Sequence, residues 1–223
     1  MMKKMIILGI SDLARLMYYY FINDSKYEIA AFTVNKEYIE NENPFLGLPV
    51  VPFEDVKNKY PPNDYLMFIA IGYKEMRNRK VLYDIAKDKG YELANYISSK
   101  AIIYDNLEVG ENNVIMGNVQ IEPFVKIGNN NIFWSDTLIC HDTRIKDHNF
   151  FSGKTLVGGL CKVENGSFLG FNSTVIQKLN IADESLIAAK SLLLHDTVKY
   201  GKYVGIPAKK TEEHKKEGII ISD

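Results

Sequence analysis

His141 and Asp142 are adjacent, and Gly159 follows His141 by eighteen residues. Imidazole takes up and releases a proton near neutrality, so His141 beside a carboxylate is a candidate general base. A glycine presents a backbone N–H with no side chain over it. Gly159 is therefore a candidate donor to negative charge developing on a carbonyl oxygen. Acyl transfer from a thioester to an amine or hydroxyl needs little more than a base, an oxyanion donor and good positioning. Taken alone, the three residues also fit an exposed histidine with an unrelated glycine neighbour. Asp142 would support His141, although neighbours on an extended strand point to opposite sides. His148 and His195 are weaker candidates, by proximity and by column position. Cys140 is a possible acyl carrier, but no base is specifically placed for it, and direct transfer needs no acyl-enzyme. Two cysteines, Cys140 and Cys161, form neither a disulfide framework nor a metal-ligand spacing, so no metal is expected.

The spacing of eighteen gains meaning from the elements around it. Every sixth residue from Ile103 to Leu193 is Ile, Val, Leu or Phe, sixteen positions with no slip of register. The fifth position of each hexad is mostly small or polar, as at Thr137, Thr143, Thr155, Cys161, Ser167 and Ser173. The second is Gly at Gly110, Gly128, Gly158 and Gly170. A period of six fits neither a helix nor a hairpin; it is the hexapeptide repeat of a parallel β-helix. Three hexads complete one coil of a three-faced prism. The first position points inward and stacks on its equivalents, and the fifth is small because it also points into a narrow interior. His141 then sits at an outward corner, and Gly159 lies beside it on the next coil. Sixteen hexads make a little over five coils, a column of about 25 Å at roughly 4.8 Å per strand.

Residues 1–98 have another texture, strand-like runs alternating with helix-like ones. Met5–Leu8, Tyr27–Val34, Val50–Val51, Tyr65–Ile71 and Glu92–Ile97 read as strands. Leu13, Leu16, Met17, Tyr20 and Phe21 form one helical face with Ser11 as its N-cap; Phe53–Tyr60 and Lys74–Lys89 read as further helices. The alternation predicts a parallel sheet covered by helices. Gly9, Ser11 and Asp12 put backbone amides and a helix N-terminus where a phosphate would bind, although Asp12 would repel a diphosphate. Dinucleotide folds carry three glycines here and an acidic residue ending the second strand. This chain has Gly9 alone and ends that strand at Val34-Asn35, which argues against NAD. Asn35, Gly72 and Tyr73 are further candidates at the carboxyl ends of the strands. After Leu193 the hexads stop, and the charged run Lys209–Lys216 reads as a short helix or a frayed tail.

Composition bounds the function. The 223 residues carry 27 Lys+Arg and 28 Asp+Glu, a formal charge of -1, so no basic footprint for nucleic acid is present. No apolar run reaches the length of a membrane span. The apolar start meets Gly9, Ser11 and Asp12 at once and reads as a strand rather than a signal peptide. The chain reads as cytoplasmic and reduced.

The hexads, His141-Asp142, Gly158-Gly159, Phe168–Ser173 and the closing run Val204–Lys209 together resemble a family, and the likeness spans nearly the whole chain. The family is the bacterial nucleotide-sugar acyltransferases of the left-handed β-helix class. Look-alikes in that family N-acetylate 4-amino-sugar nucleotides, such as the precursors of bacillosamine and perosamine derivatives, or act in sialic-acid clusters. The resemblance implies an α/β Rossmann-like domain (1–98) that holds the nucleotide, a left-handed parallel β-helix of about five coils (99–198) and a C-terminal tail (199–223). It also implies a homotrimer, with acetyl-CoA lying between two columns. His141 would be the base and the Gly159 N–H the oxyanion donor, with Ile206 and Lys209 touching the cofactor. Gly9, Ser11, Asp12, Asn35, Gly72 and Tyr73 would face the nucleotide-linked amino sugar. Many relatives carry a second histidine nine residues after the base, where this chain has Phe150. Sugar O-acetylation with the same base, and a non-catalytic trimeric β-helix that only binds a ligand, are the alternatives.

Overall fold

The computed structural model describes residues 3–39, 44–104 and 107–221. The chain divides into two compact units, Met1–Gly72 with Asn78–Tyr96, and Tyr73–Arg77 with Ile97–Asp223.

The first unit is built on four parallel strands, β1 (Lys3–Leu8), β2 (Tyr27–Val34), β3 (Val50–Pro52) and β4 (Leu66–Ile69), in the order β3-β2-β1-β4. Met5, Ile6, Ile7 and Leu8 are all buried, as expected of a parallel strand covered on both faces. Helix α1 (Asp12–Asn23) buries Ala14, Met17 and Phe21, and Phe21 meets Phe68 edge-on at 4.9 Å. Residues Ile6, Leu8, Met67 and Ile69 face the opposite way, into a core completed by Val56 of α2 (Val56–Lys59) and by Leu82 and Ala86 of α3 (Met76–Asp88). The expected strand at Glu92–Ile97 is corrected. Only Tyr96–Ile97 is strand, and Leu93 forms a single bridge to Met67, through Met67 N–H to Glu92 and Ala94 N–H to Met67.

The second unit follows the hexads. Each two-residue strand joins the sixth position of one hexad to the first of the next, and strands eighteen residues apart pair in parallel, as Leu138–Ile139 does with Leu156–Val157. Three sheets result, one per face. The hexapeptide repeat and its parallel strands fit a left-handed β-helix. First positions such as Ile121, Ile139, Val157, Val175 and Ile187 are buried, and so are the small fifth positions Thr137, Thr143, Thr155, Ser167 and Ser173. The fourth position turns each corner. It has a positive φ at Asn112, Asn118, Asn130, Asp136, Asp142 and Asn172, residue types that tolerate the left-handed region. Residues such as Phe124, Lys154 and Leu160 adopt it too.

The C-terminal run departs from expectation. Ala208–Glu213 is a strand, not a helix or frayed end. It pairs antiparallel with Gly201–Gly205, which itself pairs in parallel with Leu186–Ile187. The open edge of a sheet supplies unpaired N–H and C=O groups, and the turn at Gly205–Pro207 folds the chain back onto them. Further on, Ile219 and Ile221 bond to Met76 and Lys74. Arg77 reaches Glu184 at 2.8 Å and the carbonyls of Lys215 and Lys216. These bonds are why Tyr73–Arg77 belongs to the second unit.

Candidate functional site

The strand Leu138–Ile139 ends one face, and Cys140, His141 and Asp142 make the corner. Asp142 has φ 59°, and this left-handed step swings its carboxylate back so that Oδ2 lies 2.9 Å from His141 Nδ1. The expectation that adjacent residues must diverge is thereby resolved by the corner. The backbone is held on three sides. His141 N–H donates to Glu122 Oε2 at 2.8 Å, Leu160 N–H donates to the His141 carbonyl at 2.9 Å, and Asp142 N–H donates to the Pro123 carbonyl. With Nδ1–H directed to the carboxylate, Nε2 is the nitrogen that accepts a proton. Both side chains are about half exposed, 54% for His141 and 46% for Asp142.

Gly159 sits where the stacking arithmetic puts it. A Cβ built there would lie 2.8 Å from His141 Nε2 and 2.9 Å from Cε1, so the ring lies over the glycine, in space that any side chain would enter. Among the described residues the Gly159 carbonyl accepts from Lys178 N–H, while its own N–H donates to nothing. Base and undonated N–H thus share one patch of surface.

The other candidates fall apart from this patch. His148 is buried, with Nδ1 2.9 Å from Asn130 Nδ2, and belongs to the packing of another corner. His195 is exposed at the His141 corner, further along the column. Burial first, then the nearby Glu122 carboxylate, push the Cys140 thiol up, and burial does the same to Cys161; neither is primed as a nucleophile. Ile206, 73% exposed, and Lys209 lie at the turn of the C-terminal hairpin.

In the first unit, β1 lies between β2 and β4, so the loops after these strands are neighbours. Gly9 N–H donates to Thr33, and φ 128° with Ala70 O only 2.9 Å from a built Cβ restricts the position to glycine. Ser11 is the N-cap of α1, but its hydroxyl makes no cap bond. Asp12 opens the helix and lies 3.6 Å from Arg15. Asn35 begins the short 3-10 turn Lys36–Tyr38, and nothing lies within 4 Å of a Cβ built on Gly72. Tyr73 parts from this group. It belongs to the second unit, where its ring lies 4.9 Å from Phe150 and 5.9 Å from Phe168.

Glu122 was missed in sequence, because its role as anchor of the His141 N–H depends on the preceding coil. Among the described residues, no cluster of His, Cys, Asp and Glu could hold a metal ion, and no helix is long and apolar enough to cross a membrane.

Residues 106–141 match the family described as bacterial transferase hexapeptide (six repeats). A histidine-to-alanine variant of GDP-perosamine N-acetyltransferase from Caulobacter crescentus, solved with CoA and GDP-perosamine, superposes with a TM-score of 0.83. Identity is 22%, over 94% of this chain and 97% of that one. The acetyltransferase domain of PglB from Neisseria gonorrhoeae gives a TM-score of 0.82 at 16% identity, over 94% of this chain and 100% of that one. WeeI from Acinetobacter baumannii gives 0.74 at 19% identity, over 93% and 100%. What these three share with the chain is the fold.

Proposed function

We propose that the chain is an acetyl-CoA-dependent N-acetyltransferase acting on an amino sugar linked to a nucleoside diphosphate. The observation that carries the reading is the placement of His141 Nε2 over Gly159, with Nδ1 on the Asp142 carboxylate. The acceptor nitrogen attacks the thioester carbon, forming the C–N bond. Nε2 takes a proton from that nitrogen, the Gly159 N–H stabilises the oxyanion, and the C–S bond breaks to release CoA as thiolate. Asp142 is a positioning residue that fixes the tautomer. The site suits the thioester because Gly159 leaves its N–H uncovered. Ile206 and Lys209 at the exposed hairpin turn would meet the apolar and anionic parts of CoA.

In this reading residues 1–98 form a Rossmann-like nucleotide-binding domain, with the Gly9–Asp12 turn and the N-terminus of α1 toward the phosphates, and Asn35 and Gly72 beside them. The column has about five coils and works as a cytoplasmic homotrimer. The fold shared with the Caulobacter enzyme, whose structure holds CoA and GDP-perosamine, supports the choice of donor and acceptor.

The test is release of free thiol from acetyl-CoA with a panel of nucleotide sugars. Turnover is expected with amino-sugar nucleotides, and sedimentation is expected to give three copies. Thiol release with none of the amino sugars, or equal release with sugars lacking an amine, would sink the reading.

A further inference from the structure

The chain after the C-terminal hairpin, residues 215–221, lies as a strap along Tyr73–Arg77 of the second unit. Its root is held at His214, whose N–H donates to the Tyr200 carbonyl and whose Nε2–H donates to the Glu184 carbonyl at 2.7 Å. The Arg77 guanidinium is divided along the strap. Nε donates to Glu184 Oε2 at 2.8 Å, Nη1 to the Lys216 carbonyl at 2.9 Å and Nη2 to the Lys215 carbonyl at 3.0 Å. Gly218 has φ 73°, and a Cβ built on it would lie 2.8 Å from Arg77 Cδ and Nε, so the arginine lies against the glycine. Beyond it Ile220 bridges Glu75 in antiparallel sense. Met76 N–H donates to the Ile219 carbonyl at 3.3 Å, and Ile221 N–H to the Lys74 carbonyl at 3.1 Å. Ile219 itself is buried.

Met76 and Arg77 are also the first residues of α3. The first N–H groups of a helix have no partners within it, and the positive end of its dipole favours acceptors and anions. The first turn of α3 has no acidic residue. The Ile219 carbonyl and the Glu184 carboxylate supply what the helix's own sequence omits. At the other end of the segment the Tyr73 ring rests 4.9 Å from Phe150. Tyr73–Arg77 is thus fixed at both ends, directly after Gly72. The sheet order β3-β2-β1-β4 reverses its winding between β1 and β4, where α/β folds bind ligands beyond the carboxyl ends of the strands. Gly9 follows β1 there, and the Ala70 carbonyl after β4 lies 2.9 Å from a Cβ built on Gly9. The chain that leaves this crevice is therefore the chain that the strap holds. We propose that residues 215–221 are a positioning strap for nucleotide binding, resting on the nucleotide-binding reading given above. The strap keeps the turn between β4 and α3 preformed, so that binding does not bear the cost of ordering it.

The test weakens the strap from both sides. Arg77→Met removes the donors. Gly218→Ala puts a methyl against the guanidinium, in a backbone conformation that alanine rarely adopts. Arg77→Lys keeps the charge beside Glu184 and serves where Arg77→Met lowers the melting temperature. Each is expected to raise KM for the sugar nucleotide about tenfold, with kcat and the KM for acetyl-CoA within about twofold of wild type. Arg77→Met and Gly218→Ala combined should cost no more than the worse single variant, because both break one contact. Calorimetry with uridine, guanosine and thymidine diphosphates reads the same loss without turnover, and faster amide exchange at Met76 reports release of the strap. Faster exchange with unchanged nucleotide affinity would overturn the proposal, as would an equal rise in both KM values. Unchanged exchange in every variant would show that the strap does not hold the turn, and would overturn it too. Wild-type protein that binds none of the diphosphates and turns over no sugar nucleotide would sink the nucleotide-binding reading, and the strap's role with it.

Discussion

Two corners of the column obey the same six-residue rule and use the third position in opposite ways. At one corner the side chains form a ladder. Asn129, Asp147, Asn165 and Asp183 each accept the N–H of the residue eighteen before them, at 2.9, 2.6, 3.2 and 3.1 Å. Burial works against the Asp183 carboxylate, but the Asn165 N–H and amide hold its pKa below the usual range. At the other corner the equivalent residues are Pro123, His141, Gly159, Gln177 and His195. Pro123 has no N–H to give, and Gly159 has no side chain to accept one. The ladder lapses there, and His141 is held instead by Glu122 and Asp142. The contrast teaches that the repeat supplies rigidity at every corner, and that a reactive surface arises where polar groups are not consumed by their neighbours.

Breaking the open corner should cost catalysis. His141→Asn removes the base, and kcat is expected to fall by about 100- to 10,000-fold, with CoA affinity by calorimetry unchanged. A variant within about threefold of wild type would remove His141 from the chemistry. Gly159→Ala places a methyl 2.8 Å from Nε2, so the ring must move, and the N–H becomes shielded. Loss of one oxyanion donor sets the scale, roughly 100-fold in kcat, checked by single-turnover kinetics with the melting temperature as control. Asp142→Asn should cost about tenfold or less, because the pair is half exposed and screened by solvent.

Breaking the closed corner should cost stability alone. Asp147→Ala strips the acceptor from Asn129 N–H and Nδ2, and about 1–3 kcal/mol is expected from urea unfolding, with kcat preserved. Loss of rate at full stability would show that the corners are not separable. Cys140→Ala, next to the base but with its thiol held protonated, should leave kcat within twofold in the same assay.

Much of this was legible in advance. Sixteen apolar residues at a period of six announce the column, and eighteen residues between His141 and Gly159 announce their stacking. Asp142 was expected to support His141, with only the corner geometry left open. The Asn and Asp residues recurring at fourth positions mark left-handed corners, and that signal places its carboxylate on Nδ1. Tyr73–Arg77 carries no local mark of its unit, because its attachment depends on Glu184 and on carbonyls more than a hundred residues away. The hairpin at Ala208–Glu213 was hidden by its charges, which suggest a solvated helix while sitting on an edge strand.

Those charges have a consequence for solubility. A column of short parallel strands ends in a template on which further chains could polymerise without limit, in the manner of cross-β fibres. Here the last rungs of one face are Gly201–Gly205 and then Ala208–Glu213, which runs in the opposite direction. The outermost strand is almost wholly exposed and bristles with Lys209, Lys210, Glu212 and Glu213. A newcomer strand would meet reversed polarity and a row of hydrated ions at once. The hairpin thus acts as a chain terminator for assembly, letting a repetitive sequence remain a discrete molecule.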